Sequence, residues 1–467
     1  MFDINLVREN PKLVKDNLKK KFKEDLIPLV DDLLAKDKEW KELKKQSDDL
    51  RAKRNTLSLK INQLKKAGKK ADKEIQEASA VPHLIKELEE RMSKLEYGIK
   101  HYLMDLPNMM DKNVPIGEDA SKNVVRRKWG KIKKYDFELK GHGELAEELG
   151  IADFQKSTKV SGAGFYYLKN ELGILNQSLI RFAIDHMMKK GYTYVEPPLM
   201  LRKSAYEGVV DMEDFEKVMY KVENEDLYFI ATSEHSLIAQ FMNENIPAEQ
   251  LPIKLVGYSM CFRKEIGSHG VDTRGLFRTH QFNKVEQIVL CKPEESWGFF
   301  DEMLKNTEDI MQALELPYQV LEICSGDLGP LKARSIDVEV WMPKQGAYKE
   351  VGSLTNCTDY QARRLDIKFA DKKGNKQLAH TLNNTALATS RILVAIIENF
   401  QNKDGSIDIP KALHKYTGFT KIMPKKKFEK QSEEPNFSKC TLNENSKNNS
   451  YSKPSKKKAP EKKVHKK

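Results

Sequence analysis

Along the N-terminal part of the chain, apolar positions recur on a seven-residue period. Leu43, Leu50, Leu57 and Leu64 stand one heptad apart, and Leu33, Trp40 and Ile61 lie near the alternate seam. Leu84, Leu88, Leu95 and Ile99 form a second series of the same kind. The two series predict helices over 29–64 and 75–103, joined by the short turn KKAGKKADKE. Heptad seams bury against each other, and a tight turn makes their helices antiparallel partners. The expectation is an antiparallel coiled-coil hairpin: about 36 residues per helix gives an arm of roughly 50 Å.

The pattern then changes. LPNMMDKNVPIGED (106–119) carries Pro107, Pro115 and Gly117 and reads as a linker. Beyond it, RSIDVEVWM (334–342) and QFNKVEQIVL (281–290) alternate as strands do, with amphipathic helical stretches between. AHTLNNTALATSRILVAIIENFQ (379–401) reads as one apolar helix containing a single arginine, Arg391. A Lys/Ser/Asn/Pro stretch closes the chain and is too poor in apolar residues to pack. The organisation expected is a helical arm over 1–110, a mixed α+β domain over 111–423 and a disordered tail over 424–467.

Charge refines this picture. The net charge is +12, but from Lys421 onward fifteen lysines face five acids, so nearly all of the excess lies in the tail. In the body only local clusters are informative. Residues 51–70 hold Arg51, Lys53, Arg54, Lys60, Lys65, Lys66, Lys69 and Lys70 and no acid. A basic tip on a mixed-charge shaft suits contact with phosphates, although a dimerisation rod is the plainer use of a coiled coil. Cys261, Cys291, Cys324, Cys357 and Cys440 are scattered and form no C-x-x-C pair, which argues for a reducing compartment and against a structural zinc site. No apolar run reaches the roughly 18–20 residues of a membrane helix, and the N-terminus lacks a signal-peptide core. A cytoplasmic protein is expected.

Candidate chemistry concentrates in FRKEIGSHGVDTRGLFRTHQFNKVEQ (262–287). Side chains two apart on a strand share a face. Arg263 and Glu265 would point one way on a first strand, and Arg278, His280, Phe282, Lys284 and Glu286 one way on the return strand. Arginine for phosphate, an aromatic plate for a base and carboxylates for an amine suit a nucleotide. Gly267, Gly270 and Gly275 would let the connection fold over it. The plain alternative is an exposed hairpin with a solvated tip. Three further stretches have the same two sides. ATSEH (231–235) is a helix N-cap or a site; AYKEVGSLTN (347–356) places Glu350 and Ser353 as a corner of hard oxygens for Mg²⁺, or is a strand-end turn; Arg391 is a surface residue or points into a site.

Taken together, GYTYVEPPLM, TSE, FRKE…RGLFRTHQFNKVEQ, KEVGSLTN and TLNNTALATSR, in this order and spacing, resemble the seryl-tRNA synthetase family of class II aminoacyl-tRNA synthetases from residue 1 to about 420. The resemblance implies a class II antiparallel-sheet catalytic domain behind a tRNA-binding arm. It implies ATP-dependent attachment of L-serine to serine tRNA (and to selenocysteine tRNA where one exists), with Mg²⁺ and a homodimer. Pro198 would be the motif 1 proline at the dimer interface. Arg263 would bind the α-phosphate; Lys264 and Glu265 would flank the nucleotide, the glutamate on the adenine side. Phe282 would stack the adenine, with Thr279 against the nucleotide. Thr232, Ser233, Glu234 and, besides its phosphate role, Arg263 would line the serine site, and Glu286 would take the serine amino and hydroxyl groups with Asn383 and Thr385. Glu350, Val351, Gly352 and Ser353 would contact ATP, Glu350 and Ser353 also the metal. Arg391 would hold the γ-phosphate, and the basic tip would contact tRNA.

The chain departs from the family at Asn384, Ala386 and Ser390, where many members carry glycine. Two other readings compete. A P-loop enzyme is excluded by the absence of G-x-x-x-x-G-K-[ST], and RMSKLE (91–96), which faintly resembles a class I loop, falls inside the heptad pattern. A non-catalytic RNA-binding relative would have lost the site arginines or carboxylates, which are present here.

Overall fold

The computed structural model describes residues 1–211, 217–265 and 275–424. Gly267, Gly270, Cys440 and the tail therefore lie outside the described residues. Residues from Met1 to Pro424 form one compact unit.

The N-terminal helices α1 (Ile4–Glu9) and α2 (Pro11–Lys20) precede the two long helices of the hairpin, α3 (Ile27–Lys66) and α4 (Asp72–Asp105). The hairpin is thus as expected, with each helix a few residues longer than its heptads. Leu33, Leu43 and Leu57 are buried in the seam. In α4 the seam runs through Val81 and Ile85 instead of Leu84, which is 45% exposed. One position of slip rotates a helical residue by about 100°, enough to take Leu84 out of the contact. At the root, Phe2, Val7, Val14, Leu18, Val30, Leu33, Leu103 and Leu106 form one apolar cluster with Leu331, Cys357 and Tyr360 of the catalytic part. The segment expected as a linker starts as packed chain: Leu106, Pro107 and Asn108 are buried.

An eight-stranded sheet organises the rest. Its strands are β1 (Val124–Trp129), β2 (Thr193–Val195), β3 (Ile253–Phe262), β4 (Gln281–Cys291), β5 (Tyr318–Glu322), β6 (Arg334–Met342), β7 (Ala347–Asn356) and β8 (His380–Ala388). The spatial order is β1-β5-β6-β7-β8-β4-β3-β2, antiparallel except for the β2–β3 pair. Helices α5 (Asn170–Lys189), α8 (Ser296–Ala313) and α10 (Thr389–Asn399) pack on one face, against Val285, Val289, Val338 and Leu382. Helices α6 (Lys203–Val209), α7 (Ser233–Ala239) and α9 (Tyr360–Leu365) form a second core with Ile288 and Leu290 on the other face.

Three sequence expectations need correction. Residues 379–401 are not one helix: His380–Ala388 is a central strand and only Thr389–Asn399 is helical. The strand is buried on both faces, so the alternation that would announce it is missing. Arg263 and Glu265 lie just past the end of β3 at Phe262, with Glu265 in the left-handed region (φ 41°). On the return, Arg278 and His280 precede β4, which begins at Gln281. Phe282, Lys284 and Glu286 do share one face, that of Ile288 and Leu290.

Candidate active site

A cavity of about 660 Å³ opens on the face of the sheet that carries Phe282 and Lys284. Its two ends differ in chemistry. At one end are cations and an aromatic ring. The Arg263 guanidinium lies 5.2 Å from the centre of the Phe282 ring, and its Nε donates to the Ala231 carbonyl at 3.3 Å. The Arg263 N–H donates to the His280 carbonyl, and the His280 ring sits 2.9 Å from the Arg263 carbonyl, so the two ends of the 263–280 connection are tied together. Arg391 sits over the Phe277 ring at 5.4 Å and pairs with Glu350 at 3.1 Å. Gly275 has φ 134°, and a Cβ there would fall 2.2 Å from the His142 ring.

Glu350 and Ser353 face the same cavity although they are three apart. A β-bulge explains this: Val338 pairs with Gly352 and Glu339 with Glu350, so Val351 is the extra residue. The segment is therefore a bulged strand and not a turn. Asp337, opposite Ser353, adds a carboxylate that the sequence pattern does not single out. Burial, and then the charge of Glu350, raise its carboxyl to about 7. Burial also works against ionised Glu350, but Arg391 and Arg263 outweigh it and hold that carboxyl below the ordinary range.

The other end is a network of carboxylates and short polar groups. Thr232 caps α7, accepting from the Glu234 N–H at 3.3 Å. Glu234 is half-buried, with Gln361 Nε2 donating at 3.2 Å; burial, and then Glu286, push its carboxyl up to about 7. Glu286 is fully buried; it pairs with Lys284 at 2.8 Å and accepts from Asn383 Nδ2 and Thr385 Oγ1, both at 3.3 Å. Burial, then Lys284 and Arg263, lower the His235 ring to about 3, so it is neutral. His235 Nδ1 and Thr279 Oγ1 are buried against this cavity with no hydrogen-bond partner among the described residues. Buried polar atoms without partners are costly in a folded protein.

Of the residues singled out in the sequence, Thr232, Glu234, Arg263, Glu265, Thr279, Phe282, Glu350, Val351, Gly352, Ser353, Asn383, Thr385 and Arg391 line this one cavity. Glu286 lies directly behind Lys284 and Thr385. Ser233 turns inward and donates to the Gly257 carbonyl at 3.4 Å. Lys264 is not in the lining; its N–H donates to the Val218 carbonyl. Asn384 points away from the cavity, donating to the Met303 carbonyl at 2.7 Å. Besides Asp337, the wall includes Lys284, Lys332, Leu331, Cys357 and Gln361. Only Lys284 carries a signal in the sequence, by sharing the face of Phe282 and Glu286. Pro198 offers its carbonyl to Ser236 Oγ at 2.6 Å.

At the arm tip, three of the eight basic residues are paired with the opposite helix: Arg51 with Glu89 at 2.6 Å, Lys53 with Glu77 at 2.5 Å and Lys60 with Glu74 at 3.0 Å. Arg54, Lys65, Lys66, Lys69 and Lys70 form no ion pair among the described residues.

The sheet, antiparallel but for one edge pair, carries a cavity that is cationic at one end and polar at the other, and residues 218–400 match the tRNA synthetase class II core domain (G, H, P, S and T), which places the chain among class II aminoacyl-tRNA synthetases. Residues 1–110 match the seryl-tRNA synthetase N-terminal domain. The serine–tRNA ligase of Methanocella arvoryzae is 50% identical over 418 residues, 89% of this chain and 98% of that protein. The crystal structure of seryl-tRNA synthetase from Pyrococcus horikoshii complexed with ATP is 45% identical, with a TM-score of 0.88 over 91% of this chain and all of that one. The cytoplasmic serine–tRNA ligase of Naegleria fowleri in complex with AMP is 30% identical, with a TM-score of 0.83 over 91% of this chain and 99% of that one. The chain belongs to the seryl-tRNA synthetase family.

Proposed function

We infer that the chain joins serine to serine tRNA at the expense of ATP, in two steps within this cavity. A serine carboxylate oxygen attacks the α-phosphorus of ATP; the bond to the β-phosphate bridging oxygen breaks, giving seryl-adenylate and pyrophosphate. A ribose hydroxyl of the tRNA then attacks the seryl carbonyl and AMP leaves. No side chain need act as a nucleophile, so the protein's work is positioning and charge stabilisation.

The observation that carries this reading is the polarity of the cavity. Arg263 and Arg391, with Phe282 and Phe277 beneath them, suit a triphosphate and a base. Arg263 is assigned to the α-phosphate, Arg391 to the γ-phosphate, Phe282 to the adenine face, and Lys264, Glu265 and Thr279 to the nucleotide. The buried Thr232, Glu286, Asn383 and Thr385, with the half-buried Glu234, suit an ammonium and a hydroxyl. Ser233 acts through the fold of that wall. Mg²⁺ fits Glu350 and Ser353, with Asp337 adjoining. It keeps most of its shell as water and phosphate oxygen, so one or two protein ligands suffice, and among the described residues no cluster of three or more His, Cys, Asp or Glu is arranged to hold a metal alone. When bound, the ion would neutralise phosphate charge.

Residues 1–110 act as the tRNA-binding arm, 111–423 as the catalytic domain and 424–467 as a polycationic tail. The protein works as a cytoplasmic homodimer with Pro198 near its interface. Among the described residues no helix is long and apolar enough to cross a membrane. Serine-dependent ATP–pyrophosphate exchange tests the reading: the purified protein exchanges with serine, and absence of exchange refutes it.

A further inference from the structure

The chain leaving the arm is strapped to the cavity wall. The Asn108 N–H donates to the Pro330 carbonyl at 2.7 Å. Its side-chain amide donates to the carbonyls of Leu331 at 3.0 Å and Cys357 at 2.8 Å, with Thr358 Oγ1 at 3.2 Å. An amide NH₂ has two hydrogens, so the two carbonyls account for both. The strap is itself held from the N-terminal helices: Asn17 Nδ2 donates to the Asn108 carbonyl at 3.3 Å and Asn17 Oδ1 accepts from the Met110 N–H at 3.1 Å.

The two segments that Asn108 grips belong to different strands, one leading into β6 and one leaving β7. Pro330, Leu331 and Cys357 line the cavity. A few residues beyond Cys357 comes Gln361, which donates to Glu234 at 3.2 Å and accepts from Thr381 Oγ1 at 2.6 Å. Asn108 therefore bridges two segments of a wall whose far side carries a hydrogen-bond donor to Glu234. The nucleotide end draws Arg263, Phe282 and Arg391 from β4, α10 and the 263–280 connection, and Glu350 and Ser353 from the middle of β7, short of the Cys357 that Asn108 holds; among the described residues none of these five hydrogen-bonds Asn108. A buried asparagine can equally serve only to satisfy loop carbonyls, and the two roles differ in what they do to one substrate and not the other.

We propose that Asn108 is a positioning residue for the amino-acid end of the site, holding the 329–332 and 357–361 segments at the separation that serine binding requires. This rests on assigning that end of the cavity to serine. The test is steady-state ATP–pyrophosphate exchange with the full-length protein, alongside thermal unfolding. Misplacing binding groups by about 1 Å can cost up to about a hundredfold; Asn108→Ala is expected to raise the KM for serine about tenfold and to leave the KM for ATP within about twofold. Asn17→Ala loosens the same strap without touching the Leu331 or Cys357 carbonyls, and is expected to lower Tm with the serine KM unchanged. If Asn108→Ala cannot be recovered folded, Asn108→Ser, which keeps one donor, is judged by the same criterion. Unchanged serine KM in the folded variant, equal changes for both substrates, or an equal serine effect in Asn17→Ala overturns the proposal. Wild-type protein lacking serine-dependent exchange would instead overturn the functional reading beneath it.

Discussion

Thr385 stands directly opposite Glu286 on the neighbouring strand, and its hydroxyl donates to Glu286 Oε2 across 3.3 Å. Both groups are buried, so a substrate hydroxyl entering here meets a donor–acceptor pair that water cannot easily replace. A site built for a hydroxyl rejects the analogue lacking it by about 10⁴-fold, because its polar groups are left unpaired. Alanine should therefore be activated about 10⁴-fold less efficiently than serine in pyrophosphate exchange. Thr385→Val keeps the shape and removes a hydrogen bond to a charged group, a loss of about 10–100-fold in kcat/KM for serine. Alanine activation within tenfold of serine would remove Glu286 and Thr385 from the hydroxyl site.

If Glu234 meets the serine ammonium as proposed, serine binding should depend on pH. Burial, then the charge of Glu286, raise its carboxyl to about 7 in the folded protein, while the unfolded chain ionises near 4.3. Only the ionised form pairs with the serine ammonium, so the KM for serine should fall as pH rises from 6 to 8. Stability moves the opposite way. A carboxyl with a raised folded pKa favours folding below its unfolded pKa and loses that advantage as pH climbs to about 7. Glu234→Gln should flatten this decline in Tm between pH 5 and 8 and raise the serine KM at every pH. Asp337, also raised to about 7, adds a parallel decline. Asp337→Asn should therefore flatten the Tm profile while leaving the serine KM profile in place.

Much of this site is legible in the sequence because its residues sit in contiguous short motifs. Arg263, Phe282, Lys284 and Glu286 come from one stretch of sequence, and period-two alternation places three of them on one face. Residues 379–388 read as helix because a strand buried on both faces has the apolar density of one. Asp337 is hidden by register: only the pairing of β6 with the bulged β7 brings it against Ser353. Asn108, Leu331, Cys357 and Gln361 cannot be found by pattern at all. Leu331, Cys357 and Gln361 reach the cavity, and Asn108 the backbone of its wall, through long-range packing between the arm root and the sheet, and polar residues in a proline-bearing segment look like a linker until their partners are known.

The hairpin should be separable from activation. The root of the arm shares a core with Leu331 and Tyr360, so a deletion that spares the root is required. Replacing residues 46–89 by a short glycine linker removes the tip and keeps the Leu33, Leu103 and Leu106 contacts. Serine activation should stay within about twofold, a surface-scale perturbation, while aminoacylation of tRNA collapses. Full tRNA charging by this variant would make the arm structural only.

Within the tip, pairing state should rank the basic residues. Arg51, Lys53 and Lys60 already face Glu89, Glu77 and Glu74, so meeting a phosphate would disturb an existing pair. Lys65, Lys66, Lys69 and Lys70 make no such pair among the described residues. Removing one lysine–phosphate interaction should make the dependence of log K on log salt shallower by about 0.7–0.9. The quadruple alanine variant at 65, 66, 69 and 70 should show a shallower slope in a tRNA filter-binding titration than the triple alanine variant at 51, 53 and 60. Equal slopes would place the RNA elsewhere.

The tail gives the last expectation, and the structure decides where to cut. Lys421 and Ile422 pair with Asp408 and Ile407, and Ile422 is only 1% exposed. Cutting after Thr420 would remove part of the folded unit, so truncation belongs after Pro424, where the compact unit ends. From Lys425 onward fourteen lysines face five acids. Such a segment attracts phosphate backbone without sequence preference, and the attraction weakens steeply with salt. Truncation should leave serine activation unchanged and raise the KM for tRNA a few-fold at low ionic strength. The difference should shrink toward nothing near 0.15 M salt, where the screening length is about 8 Å. If truncation abolishes activation at every salt concentration, the tail contributes to the catalytic fold and is more than an electrostatic tether.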